Sequence, residues 1–437
     1  MHAALPVLAV AIEACCIYLV ALGDLRAQVP AFWAGFFPAL LCYALATLVV
    51  LRRPHSRATW TILGAALVFR LTLWWSPPTL SDDIFRYVWD GRVQLAGINP
   101  YLHPPAAPEL AHLRDELHGL VNHPDVPTIY PPLAQLFFRL VCALSATPAA
   151  LKFALLLCDF GLCLLLWRSL VRRGQDPCRV LLYAWHPLPV VEIAGSGHID
   201  ALGILLLFGA LYALQIRRIA AATAALAGAF LAKLVPLVLL PALWRQAGKG
   251  WFDLRPRRAL IWFPALALLG YMPFAEAGSK LATGLSTYAQ HWHFNAAVYA
   301  LIQSALAPWD AAAHLHARWL CATLLVALGL RAQIQLADPY AAACTTLGAY
   351  VLLSPTMHPW YLLWILPFLP FFAHPAWGLL GGLVALAYHV LIDYAASGIW
   401  REELWILWAQ YAPFYSLLLA TALHRHKKSN EAAAPGV

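Results

Sequence analysis

Charge is what this chain lacks. Only 21 of 437 residues are Asp or Glu, and charged residues make up 11%, against about 25% in soluble domains. Hydrophobic residues take 62%, which excludes an ordinary soluble globular fold. The nine cysteines show no CxxC or other metal-like spacing. Cys15, Cys16, Cys158 and Cys163 sit inside apolar runs and read as small buried hydrophobes, not as a disulfide framework. No GxGxxG or GxxxxGK[ST] loop is present, so there is no signature for cradling a nucleotide. No internal repeat is evident, which counts against a transporter built from duplicated halves. The amino terminus has neither a basic n-region nor a cleavage site, so its first apolar run reads as a retained helix. The net charge of +8 does not point to nucleic acid, because Lys and Arg fall in short clusters between apolar segments. Such clusters are topology signals.

What the chain has is apolar length. A span needs about 20 apolar residues, and about 12 segments qualify or come near: 5–23, 33–51, 59–75, 149–168, 180–194, 199–216, 259–275, 314–331, 338–354, 358–373, 376–393 and 404–424. The 19 Trp and 17 Tyr can anchor helix ends at the interfaces. The fold class is an all-α multi-pass membrane protein, with residues 1–426 as one polytopic domain and 427–437 as a disordered cytoplasmic tail. Basic clusters stand at Arg52/Arg53/Arg57, Arg168/Arg172/Arg173/Arg179, Arg217/Arg218, Arg245/Lys249/Arg255/Arg257/Arg258, Arg331 and His424 to Lys428. With each placed in the cytoplasm, the spans alternate from end to end if 219–244 turns back on itself at Lys233-Leu234-Val235-Pro236. A proline and a lysine at that depth require a protein or water-filled surround. Two large outer loops result, 76–147 and 276–313. The first holds two amphipathic pieces, 82–96 and 131–145, expected to lie along the interface.

The adjacent carboxylates Asp82 and Asp83 are the most informative pair, at the point where an apolar run leaves the membrane. A carboxylate raised in pKa by its neighbour and by desolvation makes a better general base. Capping of the helix that begins at Ile84 is the alternative. Arg86 can hold a phosphate oxygen or pair with Asp82 across one turn. Glu192, His198 and Asp200 flank a polar turn, where they can bind sugar hydroxyls, and Asp200 can cap a helix. A divalent metal there lacks the usual ligand spacing. Lys233 reads as a phosphate ligand, with snorkelling to an interface as its alternative. Tyr130, His291, Trp292, His358, Trp360 and Tyr361 supply candidates for a sugar-binding wall, and an aromatic belt is the competing reading for the Trp and Tyr.

At these residues the chain resembles a known family. Ser81-Asp82-Asp83-Ile84-Phe85-Arg86-Tyr87-Val88-Trp89-Asp90-Gly91-Arg92, followed by Gly97-Ile98-Asn99-Pro100-Tyr101, is similar to the first outer loop of GT-C type glycosyltransferases that use polyprenol-phosphate sugars. The nearest relatives are bacterial mannosyltransferases of the phosphatidylinositol-mannoside and lipomannan type. Further matches are Tyr130-Pro131-Pro132, Gly197-His198-Ile199-Asp200, Lys233-Leu234-Val235-Pro236, Trp292-His293-Phe294-Asn295 and Leu353-Ser354-Pro355 through His358-Pro359-Trp360-Tyr361. Two features depart from the family pattern: three spans precede the Asp loop, and Leu234 stands where many relatives have proline.

The resemblance implies a GT-C-like bundle and inverting transfer of a hexose, with mannose favoured. The donor is a polyprenyl-phosphate sugar, the acceptor a glycolipid or glycan hydroxyl, and the site lies on the extracytoplasmic face of the cell (inner) membrane. The role of base falls on Asp82 or Asp83. Arg86, Lys233 and His358 would meet the departing phosphate. No cofactor is required, and a divalent metal is not needed because a lipid phosphate is already a good leaving group. The alternatives are a transporter or flippase of lipid-linked sugars and a lipid-linked glycan ligase. A transporter would keep its charged groups near the midplane along a path.

Overall fold

The computed structural model describes residues 4–52, 58–248 and 256–433. Arg53, Arg57, Lys249 and Arg255 of the basic clusters, and positions 434–437 of the expected tail, lie outside the described residues. Among the described residues there is no named strand, only an isolated bridge between Phe294 and Thr356. The protein is an all-α multi-pass membrane protein. Among the described residues, seven helical stretches are long and apolar enough to cross a bilayer: Ala4–Leu22 (α1), Val29–Arg52 (α2), Pro148–Arg172 (α6 below), Arg257–His291, Ala313–Gln335, Pro375–Ser397 and Leu404–His424. Shorter apolar helices accompany them, among them Thr59–Trp74 (α3), Asp200–Gln215, Ile219–Ala232 and Pro339–Leu353. The last helix continues to Ala433, so backbone at 427–433, read from sequence as tail, is helical.

Two expected spans are broken rather than continuous. Over 177–195 the chain passes through short turns at Pro177–Val180, Leu181–Ala184 and Pro187–Pro189 into a π-helical turn, Val190–Gly195. Over 359–372 it forms Pro359–Trp364, Leu366–Phe368 and Leu369–Phe372. The prolines within both segments remove backbone donors and stop a regular α-helix. The two segments pack against each other, and every residue from Leu181 to Asp200 is buried. Irregular backbone at membrane depth is tolerated where protein surrounds it.

The hairpin expected over 219–244 has its break at Lys233. Helix Ile219–Ala232 ends there because Lys233 is extended (φ −156°, ψ 136°), and the chain returns through Val235–Leu239 and Leu240–Gln246. Both limbs end beside the same pole of the bundle. Gln215 donates to the Ser169 carbonyl, Arg173 pairs with Asp338 at 2.6 Å, and Arg245 donates to the carbonyls of Gln333 and Leu336. Lys233, at the hairpin tip, reaches the opposite pole, where Asp200 begins its helix. Arg173 and Arg245 thus stand at the end of the bundle opposite Asp200 and Lys233.

The first large loop forms helices Asp83–Leu95 (α4) and Pro132–Leu144 (α5), which close the series to α6 (Pro148–Arg172). They coincide with the two amphipathic pieces, but their polar faces are spent differently. On α5, Leu140 and Leu144 stay exposed. On α4, nearly every residue from Ile84 to Gln94 is buried against protein. Its polar side faces inward: Thr128 Oγ1 and Gln135 Nε2 donate to Asp90 Oδ2 at 2.6 and 2.8 Å, and Gln94 donates to Gln135. The placement of α4 along a lipid interface is therefore corrected, since the protein itself covers it. Gly91 permits the close approach, because a Cβ there would sit 2.5 Å from Cys142 Sγ on α5.

Candidate active site

Asp82 and Asp83 have different surroundings. Asp82 occupies the cap position of α4 without a side-chain capping bond, so the capping alternative is not realised. Its carboxylate pairs instead with Arg26, in the turn between α1 and α2. Arg26 is itself fixed by a 2.9 Å bond from Nε to the Thr79 carbonyl. The turn between α1 and α2 thus supplies the cation that neutralises Asp82. Asp83 has no Lys or Arg partner among the described residues. Its Oδ1 accepts a 3.0 Å bond from Asn122 Nδ2, and its Oδ2 lies 3.7 Å from His198 Nδ1. The side chain is 22% exposed. Burial pushes its pKa up to about 6, with Asp200 and Asp82 adding to the rise and Asn122 and Lys233 opposing it.

Arg86 does not reach this site. Its Nε donates to Asp90 Oδ1 at 2.9 Å and its Nη2 to the Val126 carbonyl, which makes it a buried brace between α4 and the loop. The pairing with Asp82 read from sequence is not found, because Asp90, one turn on the other side, takes the guanidinium. His291 is likewise outside: it is exposed, and its ring bonds the Thr287 carbonyl of its own helix. Tyr130 is buried beneath the site, edge-on to Tyr87 at 4.9 Å, with its carbonyl accepting from Tyr101 Oη.

The remaining candidates converge. Lys233 Nζ donates to both oxygens of Asp200 at 2.8 Å and lies 5.3 Å from the Tyr361 ring centroid. Trp364 Nε1 also donates to Asp200 Oδ1, at 2.6 Å. Asp200 is fully buried and makes no capping bond, so its carboxylate serves Lys233 and Trp364. Tyr361 shares a hydrogen bond with Tyr288, whose ring lies against Trp292. Trp292 meets His123, next to Asn122 in the first loop, at 4.7 Å. Trp360 stacks on His198 at 4.0 Å and on His358 at 4.4 Å. Asn122, Asp83, His198, Trp360, Tyr361, Tyr288, Trp292 and His123 therefore form a closed circuit in which the two outer loops meet.

The late motifs are tied together by backbone. Met357 N–H donates to the Phe294 carbonyl, and Phe294 N–H to Pro355. Asn295 Nδ2 reaches the Met357 carbonyl and Gln410 Oε1. In the first loop Asn99 Nδ2 donates to the Phe274 carbonyl, which docks the Asn-Pro-Tyr segment on the helical stretch Arg257–His291. Among the described residues, no three His, Cys, Asp or Glu are grouped to hold a metal ion. The Glu192, His198 and Asp200 set splits, since Asp200 is engaged by Lys233 and Trp364.

Gly197 gives the turn before His198 its shape, with φ +81°. A Cβ there would lie 2.5 Å from Ile84 Cδ1 and 3.0 Å from Lys152 Cγ. Gly197→Ala is expected to cost about 1–3 kcal/mol through strain and overpacking. A lowered thermal midpoint in detergent, with weakened transfer, checks this.

Sequence reasoning missed Asn122, His123, Tyr288 and Trp364. Asn122 and His123 fall in a polar stretch without periodicity, and Trp364 sits in an apolar run where its indole N–H carries no signal.

A family model described as alpha-(1->6)-mannopyranosyltransferase, N-terminal domain, matches residues 3–247. No curated protein and no solved structure matches the chain. The matched stretch carries Asp83, Asn122, His123 and His198 of the circuit, and Glu192, Asp200 and Lys233 beside it. The chain belongs to the alpha-(1->6)-mannopyranosyltransferase family and is a membrane mannosyltransferase.

Proposed function

We propose that this mannosyltransferase takes mannose from a polyprenyl-phosphate donor and passes it, with inversion, to a hydroxyl of a glycolipid or glycan on the extracytoplasmic side of the cell membrane. The observation that carries this reading is the division of labour between the adjacent acids. Asp82 is neutralised by Arg26, whereas Asp83 is left without a cation partner, at the rim of an aromatic-lined site. A carboxylate in that state removes the proton from an acceptor hydroxyl, whose oxygen attacks the sugar C1 from the face opposite the phosphate. The C1–O bond to phosphate breaks, and its electron pair leaves with the polyprenyl phosphate. Lys233, with two of its three N–H bonds spent on Asp200, keeps one for that oxygen. His358 is half-buried, makes no hydrogen bond to a described residue and stands beside Tyr361. It is the second donor for the phosphate. Trp360, Tyr361 and Trp292 offer ring faces to the pyranose. Basic residues at the opposite pole support a cytoplasmic placement of that end and an outer placement of the site.

The test is transfer by purified protein in detergent, with polyprenyl-phosphate-[14C]mannose and a membrane glycolipid extract. Label should enter the glycolipid with the α-anomer formed from a β-linked donor. Transfer from a nucleotide-mannose and none from the lipid donor would overturn the reading.

A further inference from the structure

Below Asp83 lies a second set of acid-base groups that the transfer step does not use. His198 is fully buried. One ring nitrogen, Nε2, is 3.3 Å from Glu192 Oε2, and the other, Nδ1, faces Asp83 Oδ2 at 3.7 Å. Stacking on Trp360 fixes the plane of the ring, which stands between the two carboxylates with one nitrogen nearer each. Glu192 is also fully buried, and Tyr388 Oη donates to its other oxygen at 2.7 Å. Glu192 Oε2 and both His198 nitrogens have no hydrogen-bond partner among the described residues. An unsatisfied buried polar atom is costly, at about 1–3 kcal/mol each. Three in one row point to a shared proton rather than to packing alone. Glu192 sits on the π-helical turn Val190–Gly195, a distortion frequent at functional sites.

We propose that Glu192 and His198 form a proton relay behind Asp83, which accepts the proton that Asp83 takes from the acceptor hydroxyl and so returns Asp83 to its basic form. The proposal rests on Asp83 being the base. In the resting state neutral His198 carries its proton on Nε2, the nitrogen beside the Glu192 carboxylate, and a small ring rotation brings it onto Oε2, with Nδ1 on the Asp83 side. After transfer, the Asp83 O–H bond breaks as an Nδ1–H bond forms. The Nε2–H bond breaks as an O–H bond forms on Glu192 Oε2. One proton has entered the row, Asp83 is again a carboxylate, and no electron has changed owner. Departure of the polyprenyl phosphate, whose extra negative charge can take up a proton, lets the row reset. His198 and Glu192 act through Asp83 and touch neither substrate, so they are positioning and proton-holding residues.

The groups that face this row are few. Asp83 meets it from α4 and Tyr388 from the turn Val384–His389. Asp200 and Lys233 act on it from the hairpin side, and His358 from the other loop. The Lys152 stem lies against Gly197. Burial, with Lys233 and His358 adding to it, holds the His198 pKa well below its ordinary value, so a passing imidazolium is short-lived.

The experiment uses the full-length protein in the lipid-donor assay, with His198→Gln, His198→Ala and Glu192→Gln beside Asp83→Asn. His198→Gln keeps polar contacts to both carboxylates but cannot pass a proton. It should melt like the parent, keep donor KM within about twofold, and lose kcat by on the order of tenfold or more. His198→Ala should lose kcat similarly and regain it when imidazole is added, in proportion to neutral imidazole. Glu192→Gln should lose kcat with no rescue. Parental kcat in folded His198→Gln or Glu192→Gln would overturn the relay. So would a loss that imidazole leaves unchanged and that comes with raised KM or a lowered melting point. An active Asp83→Asn would instead remove the base assignment, which separates the two failures.

Discussion

Asp83→Asn is expected to reduce transfer from polyprenyl-phosphate mannose by about 10²–10⁴-fold in kcat, the range for removing a general base. The asparagine is near-isosteric and can keep the Asn122 contact, so donor KM and folding should move little. Asp82→Asn is the paired control. It breaks a partly exposed ion pair with Arg26, in which the two side chains are 25% and 30% exposed. Such a pair contributes about 0–1 kcal/mol, and activity should stay within a few-fold of the parent. The acid limb of the pH profile is expected to report the same residue. With the Asp83 pKa pushed up to about 6, mainly by burial, the active carboxylate is lost as pH falls through that value. The apparent kcat/KM should drop about tenfold per unit below it and level off above. Asn122 favours the ionised form by donating to it, so Asn122→Ala should move the limb to higher pH. Equal loss in Asp82→Asn and Asp83→Asn, or a limb unmoved in Asn122→Ala, would count against Asp83 as the base.

Helix placement was readable from sequence because apolar length is itself the signal. Segment 59–75 became Thr59–Trp74, 199–216 became Asp200–Gln215, and 338–354 became Pro339–Leu353. The broken segments around Pro187 and Pro359 were equally apolar, and hydropathy alone does not distinguish a straight helix from a proline-broken one when both are buried. Side-chain direction was less legible. Asp82 and Asp83 are neighbours with like chemistry, and what separates them is Arg26, 56 positions before Asp82 and on another loop. Arg86 had carboxylates one turn away on both sides, Asp82 and Asp90, and only the fold shows that it bonds Asp90. The buried Arg70–Asp159 pair at 2.6 Å, with Tyr183 Oη donating to Asp159 at 2.5 Å, left no mark because each charge stands alone in its own apolar run. Motif order pointed to Asp83, His198, Lys233, Trp360 and Tyr361, and long-range contacts decided who faces whom.

Lys233→Met is expected to have the second largest effect, and it divides stability from chemistry. Removing the ammonium leaves Asp200, which is fully exposed to no solvent, with Trp364 as its remaining hydrogen-bond donor. An uncompensated buried charge of this kind costs about 3–5 kcal/mol, which should appear as a sharply lowered thermal midpoint in detergent. Asp200→Asn should cost less, since the lysine side chain is 22% exposed and its charge can turn towards the cavity beside Tyr361. The double variant Lys233→Met with Asp200→Asn removes both charges and should recover most of the stability lost by Lys233→Met alone. Transfer should not recover with it. The N–H that Asp200 leaves unused is the one proposed to meet the donor phosphate, so the double variant should fold well and still show raised donor KM and lowered kcat. A stable double variant with parental kinetics would make Lys233 a purely structural partner of Asp200, and the phosphate would then have to rest on His358 alone.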